Sequence, residues 1–387
     1  MAKRIVILGG GMGGLVVANR LSNALLCRGL PTRDNDIVVI DREKNHLFNP
    51  SLLWLMVGQR SREQIQKPLS RLQKKGIRFI NAEVSGIDFE GRTVAISDGE
   101  IPFDYLVIIL GASTFPERLA GFSEAAYNIY DLSGADRIRE KIENFDKGRV
   151  VVLVSSIPFK CPAAPYEAAL ILSTYFTKKR RDIEVEVVTP EPLPMGVAGP
   201  EVGNMVCSLL ESRGIRFMPQ HQAVQIDPKR KEITFRNGET LSYDLLVGIP
   251  PHGVPPVLEG SPVLGESGWV KVNPRTLETE LENVYALGDV TAIPLPVGKP
   301  LPKAGVFAHA QAKVVAHSIE AKIKGASPEK EFDGGGACFI ELGDGTAGYA
   351  SGNFYAEPKP VVHLKKPSRL RHWQKVIFEK WWLWKWF

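Results

Sequence analysis

Short, continuous apolar runs recur along the chain: IVIL (5–8), IVVI (37–40), YLVIIL (105–110), VVVLV (150–154) and LLVGI (245–249). Runs of this length with no polar alternation predict strands buried on both faces, as in a parallel sheet covered by helices. Two of them lead through a turn into an apolar-periodic stretch, "RIVILGGGMGGLVVA" and "RVVVLVSSIPFKCPAAPYEAALIL". The segment that follows each also repeats: residues 74–108 and 212–248 both carry G-I-R-F, alternating strands around an Asp-Gly or Asn-Gly hairpin signal, and an acidic-aromatic pair before an apolar strand. The pattern predicts an α/β chain built from two tandem copies of one strand–turn–helix plan.

The first copy carries a phosphate signature. Gly9, Gly11 and Gly14 fit G-x-G-x-x-G between a strand and a helix. The first glycine permits the tight turn, the second lets a pyrophosphate approach the backbone, and the third lets helix pack on strand. The helix N-terminus adds amide donors and partial positive charge. Asp41, ending "IVVID", is placed to bind a ribose hydroxyl, at a longer offset than usual because of the polar insert "CRGLPTRDND". "VIILGAST" ends its strand at Gly111, and "NVYALGDVTA" places Gly288 and Asp289 at another strand end. Together these predict an FAD site, with a helix near Ala304 aimed at the flavin.

The second copy has lost the signature. Alignment of the two units sets Val154 against Gly9, Ser156 against Gly11 and Phe159 against Gly14. Side chains at these positions bar a phosphate, so a nicotinamide nucleotide is not expected there. In its place stands Cys161, expected just before a helix whose dipole lowers a thiol pKa. Glu167 follows within that helix, as a proton acceptor or an ordinary first-turn acid. Cys338, after three glycines, is the candidate partner, while Cys27 and Cys207 fall in helical contexts suited to packing.

The carboxyl end predicts a helix with Leu370, Trp373, Ile377, Trp381 and Trp384 along one stripe, and Arg371, Lys375, Glu379 and Lys380 mainly elsewhere. Five tryptophans in the last fifteen residues, with basic residues in "HLKKPSRLRH" just upstream, describe a helix lying in a membrane interface.

Composition narrows the class. With 44% hydrophobic and 24% charged residues, the chain is that of a globular protein, and 387 residues suffice for two or three domains. The net charge of +5 comes without the basic-aromatic stripe of a nucleic-acid binder, and four cysteines are too few for a disulfide scaffold. The first apolar run is too short for a signal peptide and no stretch is long enough to span a bilayer. The expected location is therefore the cytoplasmic side of the cell membrane, attached peripherally. No metal site is expected, and homo-oligomerisation is left open.

"FKCPAAPYE", "LPKAGVFAHAQAKVVA" and "ACFIELGDGTAGY" resemble the sulfide:quinone oxidoreductase and flavocytochrome c sulfide dehydrogenase family, over essentially the whole chain. The resemblance implies two Rossmann-like domains: an FAD domain (1–113 and 268–330), a second without a nucleotide fingerprint (114–267), and a C-terminal region with an amphipathic interfacial helix (331–387). It implies Cys161 and Cys338 as the redox pair, with Glu167 beside them, and Val84 among the FAD contacts. Lys303 would lie by the flavin's pyrimidine edge and Phe339 at the quinone pocket. Sulfide would be oxidised to sulfane sulfur or polysulfide, and its electrons passed through FAD to membrane quinone. The sequence departs from the pattern in lacking a third cysteine in residues 116–136. It also lacks one in "NHLFNPSLLW" for covalent attachment, so FAD is expected to be noncovalent. Rival readings are a type II NADH:quinone dehydrogenase, a flavocytochrome c-type sulfide dehydrogenase subunit, and a membrane-attached flavin sensor without turnover.

Overall fold

Each apolar run becomes a parallel strand because it has no polar face to offer water. The computed structural model describes residues 2–26 and 34–387. Cys27 and most of the polar insert lie outside the described residues. The first sheet has five parallel strands in the order Val284–Ala286, Tyr105–Ile108, Arg4–Leu8, Asp36–Asp41 and Arg78–Asn81. The second repeats the plan with Ala126–Asn128, Leu245–Ile249, Lys147–Val154, Asp182–Val188 and Arg216–Met218. The two differ in the edge strand, which lies beside Tyr105–Ile108 in the first sheet and beside Leu245–Ile249 in the second. In the first sheet that strand comes from far downstream; in the second it comes from just upstream.

Both hairpin signals form. Val84–Asp88, Thr93–Ile96 and Gly99–Pro102 make one three-stranded antiparallel sheet, and Ala223–Asp227, Glu232–Phe235 and Thr240–Ser242 the other. The chain crosses between the two units through a short antiparallel pair, Ser113–Thr114 with His252–Gly253.

The carboxyl region is a separate antiparallel meander, Gly335–Glu341, Ala347–Asn353 and Val361–Ser368, followed by the helix Arg369–Lys385. Ser368 caps that helix by accepting a hydrogen bond from the Arg371 N–H at 3.3 Å. Among the described residues no helix is long and apolar enough to cross a membrane. The C-terminal helix instead turns most of its expected apolar stripe outward, except Trp381, which packs against the first core. Leu370, Trp373, Ile377 and Trp384 are 60% or more exposed, whereas Lys375 and Glu379 are buried. Two of the four residues expected on the polar side thus lie inside, because each buried charge finds a partner. Glu379 accepts hydrogen bonds from Ser51 at 2.6 Å and from Arg60 at 2.9–3.0 Å, and Lys375 pairs with Glu167.

Candidate active site

The glycine turn of the first unit behaves as its spacing predicts. A side chain on Gly14 would collide with the Gly9 carbonyl, whereas one on Gly11 would meet nothing within 4 Å. Open space over Gly11 is the approach a pyrophosphate needs. The helix Met12–Leu25 that follows has no side-chain cap, leaving its first amides available. Asp41 lies under the turn, its carboxylate accepting the Gly10 N–H at 2.6 Å and the Glu43 N–H at 2.8 Å. Burial raises its pKa against the pull of those hydrogen bonds. Gly111 has φ +72 with open space around it, and Val84 packs nearly buried in the first core.

Across the sheet, Gly288, Asp289, Thr291, Lys303 and Gln311 line a cavity at the uncapped N-terminus of the helix Gly305–Ile323. The Asp289 Oδ1 atom is buried there with no hydrogen-bond partner, which points to a polar ligand group. Lys303 donates to the carbonyls of Asp289 at 2.7 Å and Thr291 at 3.0 Å and stacks over Trp269, 3.3 Å from the ring centroid. Burial lowers its pKa to about 8, opposed by Asp289. Open glycine turn, orphaned carboxylate oxygen and two free helix N-termini together fit a flavin dinucleotide.

The second unit fills its own turn. Phe159, 4% exposed, packs into the second core at the position of the third glycine, and Gln222 donates to the Ser155 carbonyl. Cys161 follows with φ +53, a left-handed conformation costly for a residue with a side chain. Two hydrogen bonds hold it: its N–H donates to the Lys303 carbonyl at 2.6 Å, and its carbonyl accepts from Ala164 at 2.9 Å. The cysteine loop is therefore fastened to the loop that lines the Asp289 cavity.

Cys338 reaches the same place from the strand Gly335–Glu341. Alternation sends Cys338 and Ile340 toward the second core and Phe339 and Glu341 to the other face. Phe339 meets Tyr349 there, with ring centroids 5.0 Å apart. Both Cys161 and Cys338 are free thiols packed on the second core, as partly buried side chains. Cys207, also free, lies half-buried in the helix Pro200–Glu211, away from this core contact.

The expectation of a thiolate activated by a helix dipole is corrected. Cys161 does stand just before the helix, which starts at Ala164, but burial pushes its thiol well above the ordinary pKa, with the charge of Cys338 adding to the rise. Burial pushes Cys338 up to about 12. Among the described residues, the cation that opposes both shifts is Lys375, from the C-terminal helix. Lys375 is buried and donates to Glu167 Oε1 at 2.7 Å, as does the backbone N–H of Glu341 at 2.7 Å. Burial raises Glu167, partly offset by Lys375. Sequence reasoning missed Lys375, Glu341 and Trp269, which have no local motif. It also missed His46, which accepts the Trp382 indole N–H at 3.1 Å and contacts the Gly10 carbonyl at 3.0 Å.

The model of the pyridine nucleotide-disulphide oxidoreductase family matches residues 3–312. The sulfide-quinone reductase of Aquifex aeolicus is 29% identical over 100% of this chain and 91% of its own. The mitochondrial sulfide:quinone oxidoreductase of Mus musculus is 24% identical over 92% of this chain and 79% of its own. The X-ray structure of the Aquifex aeolicus sulfide:quinone oxidoreductase superposes with a TM-score of 0.88 at 28% identity, covering 100% of this chain and 91% of that one. A type II NADH:quinone oxidoreductase of Staphylococcus aureus is 24% identical over 94% of this chain and 93% of its own. With its two five-stranded parallel sheets, its open glycine turn and this match over most of its length, the chain belongs to the pyridine nucleotide-disulphide oxidoreductase family.

Proposed function

We propose that the protein is a sulfide:quinone oxidoreductase docked on a membrane surface, with Cys161 and Cys338 as its redox pair. The observation that carries this reading is the convergence of two free thiols on one apolar core, with Cys161 fastened through its N–H to the carbonyl of Lys303. Relatives named for sulfide and quinone support it. The NADH reading is weakened by Phe159, which is packed into the second core at the position where a dinucleotide-binding turn needs its third glycine.

Hydrosulfide attacks the Cys161–Cys338 disulfide. The S–S bond breaks, a persulfide forms on one cysteine, and the other leaves as a thiolate. The Gly9–Gly14 turn and Asp289 would hold FAD noncovalently, and the flavin would supply a two-electron store between sulfur and quinone. Lys303, lining the same cavity as Asp289, would set positive charge beside it. Lys375 stabilises the leaving thiolate, and Glu167 exchanges protons with the cysteines. Phe339, on the far face of its strand from Cys338, borders the quinone pocket. The product is sulfane sulfur, released as polysulfide. The exposed stripe of Leu370, Trp373, Ile377 and Trp384 lies in the cytoplasmic leaflet, where quinone is reached.

The test is sulfide-driven reduction of a soluble quinone analogue by the FAD-bound protein in detergent. Cys161→Ser and Cys338→Ser each reduce the rate by on the order of a hundredfold or more, since neither can form the disulfide. Undiminished activity in either variant removes the cysteine mechanism.

A further inference from the structure

Behind Glu167 runs a string of buried charges that the thiol exchange by itself does not require. Lys375 and the Glu341 N–H share one oxygen of Glu167. The Glu341 carboxylate holds Nδ1 of His372 with both oxygens, at 2.9 and 3.0 Å. Glu167, Glu341 and Lys375 are 4%, 1% and 7% exposed, whereas the His372 side chain is 21% exposed. The next residue, Trp373, stands 60% exposed on the outward apolar stripe. The string thus begins at the cysteines, where Glu167 is the charge acting most strongly on Cys338, and ends at the membrane-facing surface.

Each buried carboxylate along this string has its own partner. Against the inner side of the C-terminal helix, Lys375 pairs with Glu167, the partly exposed Arg60 with Glu379, and His372 with Glu341. Lys380 adds an exposed ammonium 3.7 Å from Glu379, and Arg371 turns away to Gln374 and Tyr349. Around His372 itself, Glu341 approaches from the meander strand and the Trp54 ring from the helix Leu52–Leu55, 6.1 Å between centroids. Of these three partners only the imidazole is of a kind that readily gains and loses a proton near neutral pH.

We propose that His372 is the proton exchanger of the thiol site, taking up through Glu341, Lys375 and Glu167 the proton that a cysteine sheds and releasing it at the membrane face. This rests on the thiol chemistry proposed above. The S–H bond breaks, an N–H bond forms on the imidazole, and no electrons move in the step. Glu167 receives the thiol proton as Lys375 yields one toward Glu341, whose charge it already feels, and Glu341 passes it to His372. Lys375 bonds Glu167 in the structure, and its flexible four-carbon stem lets the ammonium turn from there toward Glu341. The proton emerges where quinone reduction consumes protons.

The test uses the FAD-bound protein with its cysteines reduced. Flavin content and thermal midpoint establish that each variant folds. In His372→Gln, which keeps a polar side chain beside Glu341 but cannot gain a proton, the pH midpoint of cysteine alkylation by iodoacetamide rises by about one unit. Single-turnover flavin bleaching by sulfide slows by on the order of tenfold to a hundredfold. In His372→Ala, added imidazole restores the bleaching rate. A His372→Gln protein with the parental alkylation midpoint and bleaching rate overturns the proposal. So does a slow His372→Ala protein that imidazole leaves slow, the behaviour of a merely structural histidine. If sulfide still bleaches Cys161→Ser, the cysteine mechanism has failed, and the alkylation midpoint still decides the role of His372.

Discussion

Lys375 and Glu167, 208 residues apart in sequence, close a 2.7 Å ion pair in the interior of the protein. One comes from the C-terminal helix, the other from the helix that follows the cysteine loop. A pair this enclosed adds little net stability over an apolar filling, but it cannot lose one partner cheaply. Lys375→Met is expected to destabilise by about 3–5 kcal/mol, because Glu167 is left charged and buried. Glu167→Gln destabilises similarly. The double variant recovers much of the loss in urea denaturation, and a double variant as costly as the sum of the singles would show that the two residues are not coupled.

The outward stripe of the same helix has the opposite character. Trp373, Ile377 and Trp384 are 60%, 63% and 75% exposed, so their folded-state contacts are few. The triple variant Trp373→Ser/Ile377→Ser/Trp384→Ser is expected to keep its thermal midpoint while losing co-sedimentation with anionic phospholipid vesicles. Retained vesicle binding would place the docking surface elsewhere.

These two faces show what the sequence could and could not convey. The spacing of Leu370, Trp373, Ile377 and Trp384 identifies one stripe, since helical periodicity is a local property. Which face turns inward depended on Glu167 and Arg60, whose positions are set by distant parts of the chain. The glycine turn and both hairpins were legible because backbone conformation dictates their residues. The state of Cys161 was not. Its nearness to a helix start was readable, but its burial beside Cys338 depends on a strand more than 170 residues later, and burial outweighs the dipole.

His46 ties the glycine turn to the C-terminal helix and makes the fold acid-sensitive. Burial pushes its pKa down to about 4, below the roughly 6.5 of an unfolded histidine. Between those values the unfolded chain binds more protons. The stabilisation is therefore complete above pH ~6.5 and is lost as the pH falls toward 4, by about 3 kcal/mol at most. His46→Gln is expected to flatten the pH dependence of the thermal midpoint across this window. An unchanged slope would mean that other groups govern acid unfolding.

Phe159 plugs the turn where the first unit keeps a glycine. Because it is 4% exposed in the second core, Phe159→Gly is expected to cost about 3–5 kcal/mol. It should gain no flavin reduction by NADH, since Ser156 and Val154 still crowd the turn. NADH-dependent bleaching in this variant would show that Phe159 alone excludes the nucleotide.

The central claim is that electrons enter from sulfide through Cys161 and Cys338. The most direct measurement is the flavin absorbance of the FAD-bound protein mixed anaerobically with sulfide and, in a parallel sample, with NADH. Rapid bleaching by sulfide, its loss in Cys338→Ser, and no bleaching by NADH are expected. Bleaching by NADH but not by sulfide would contradict the claim.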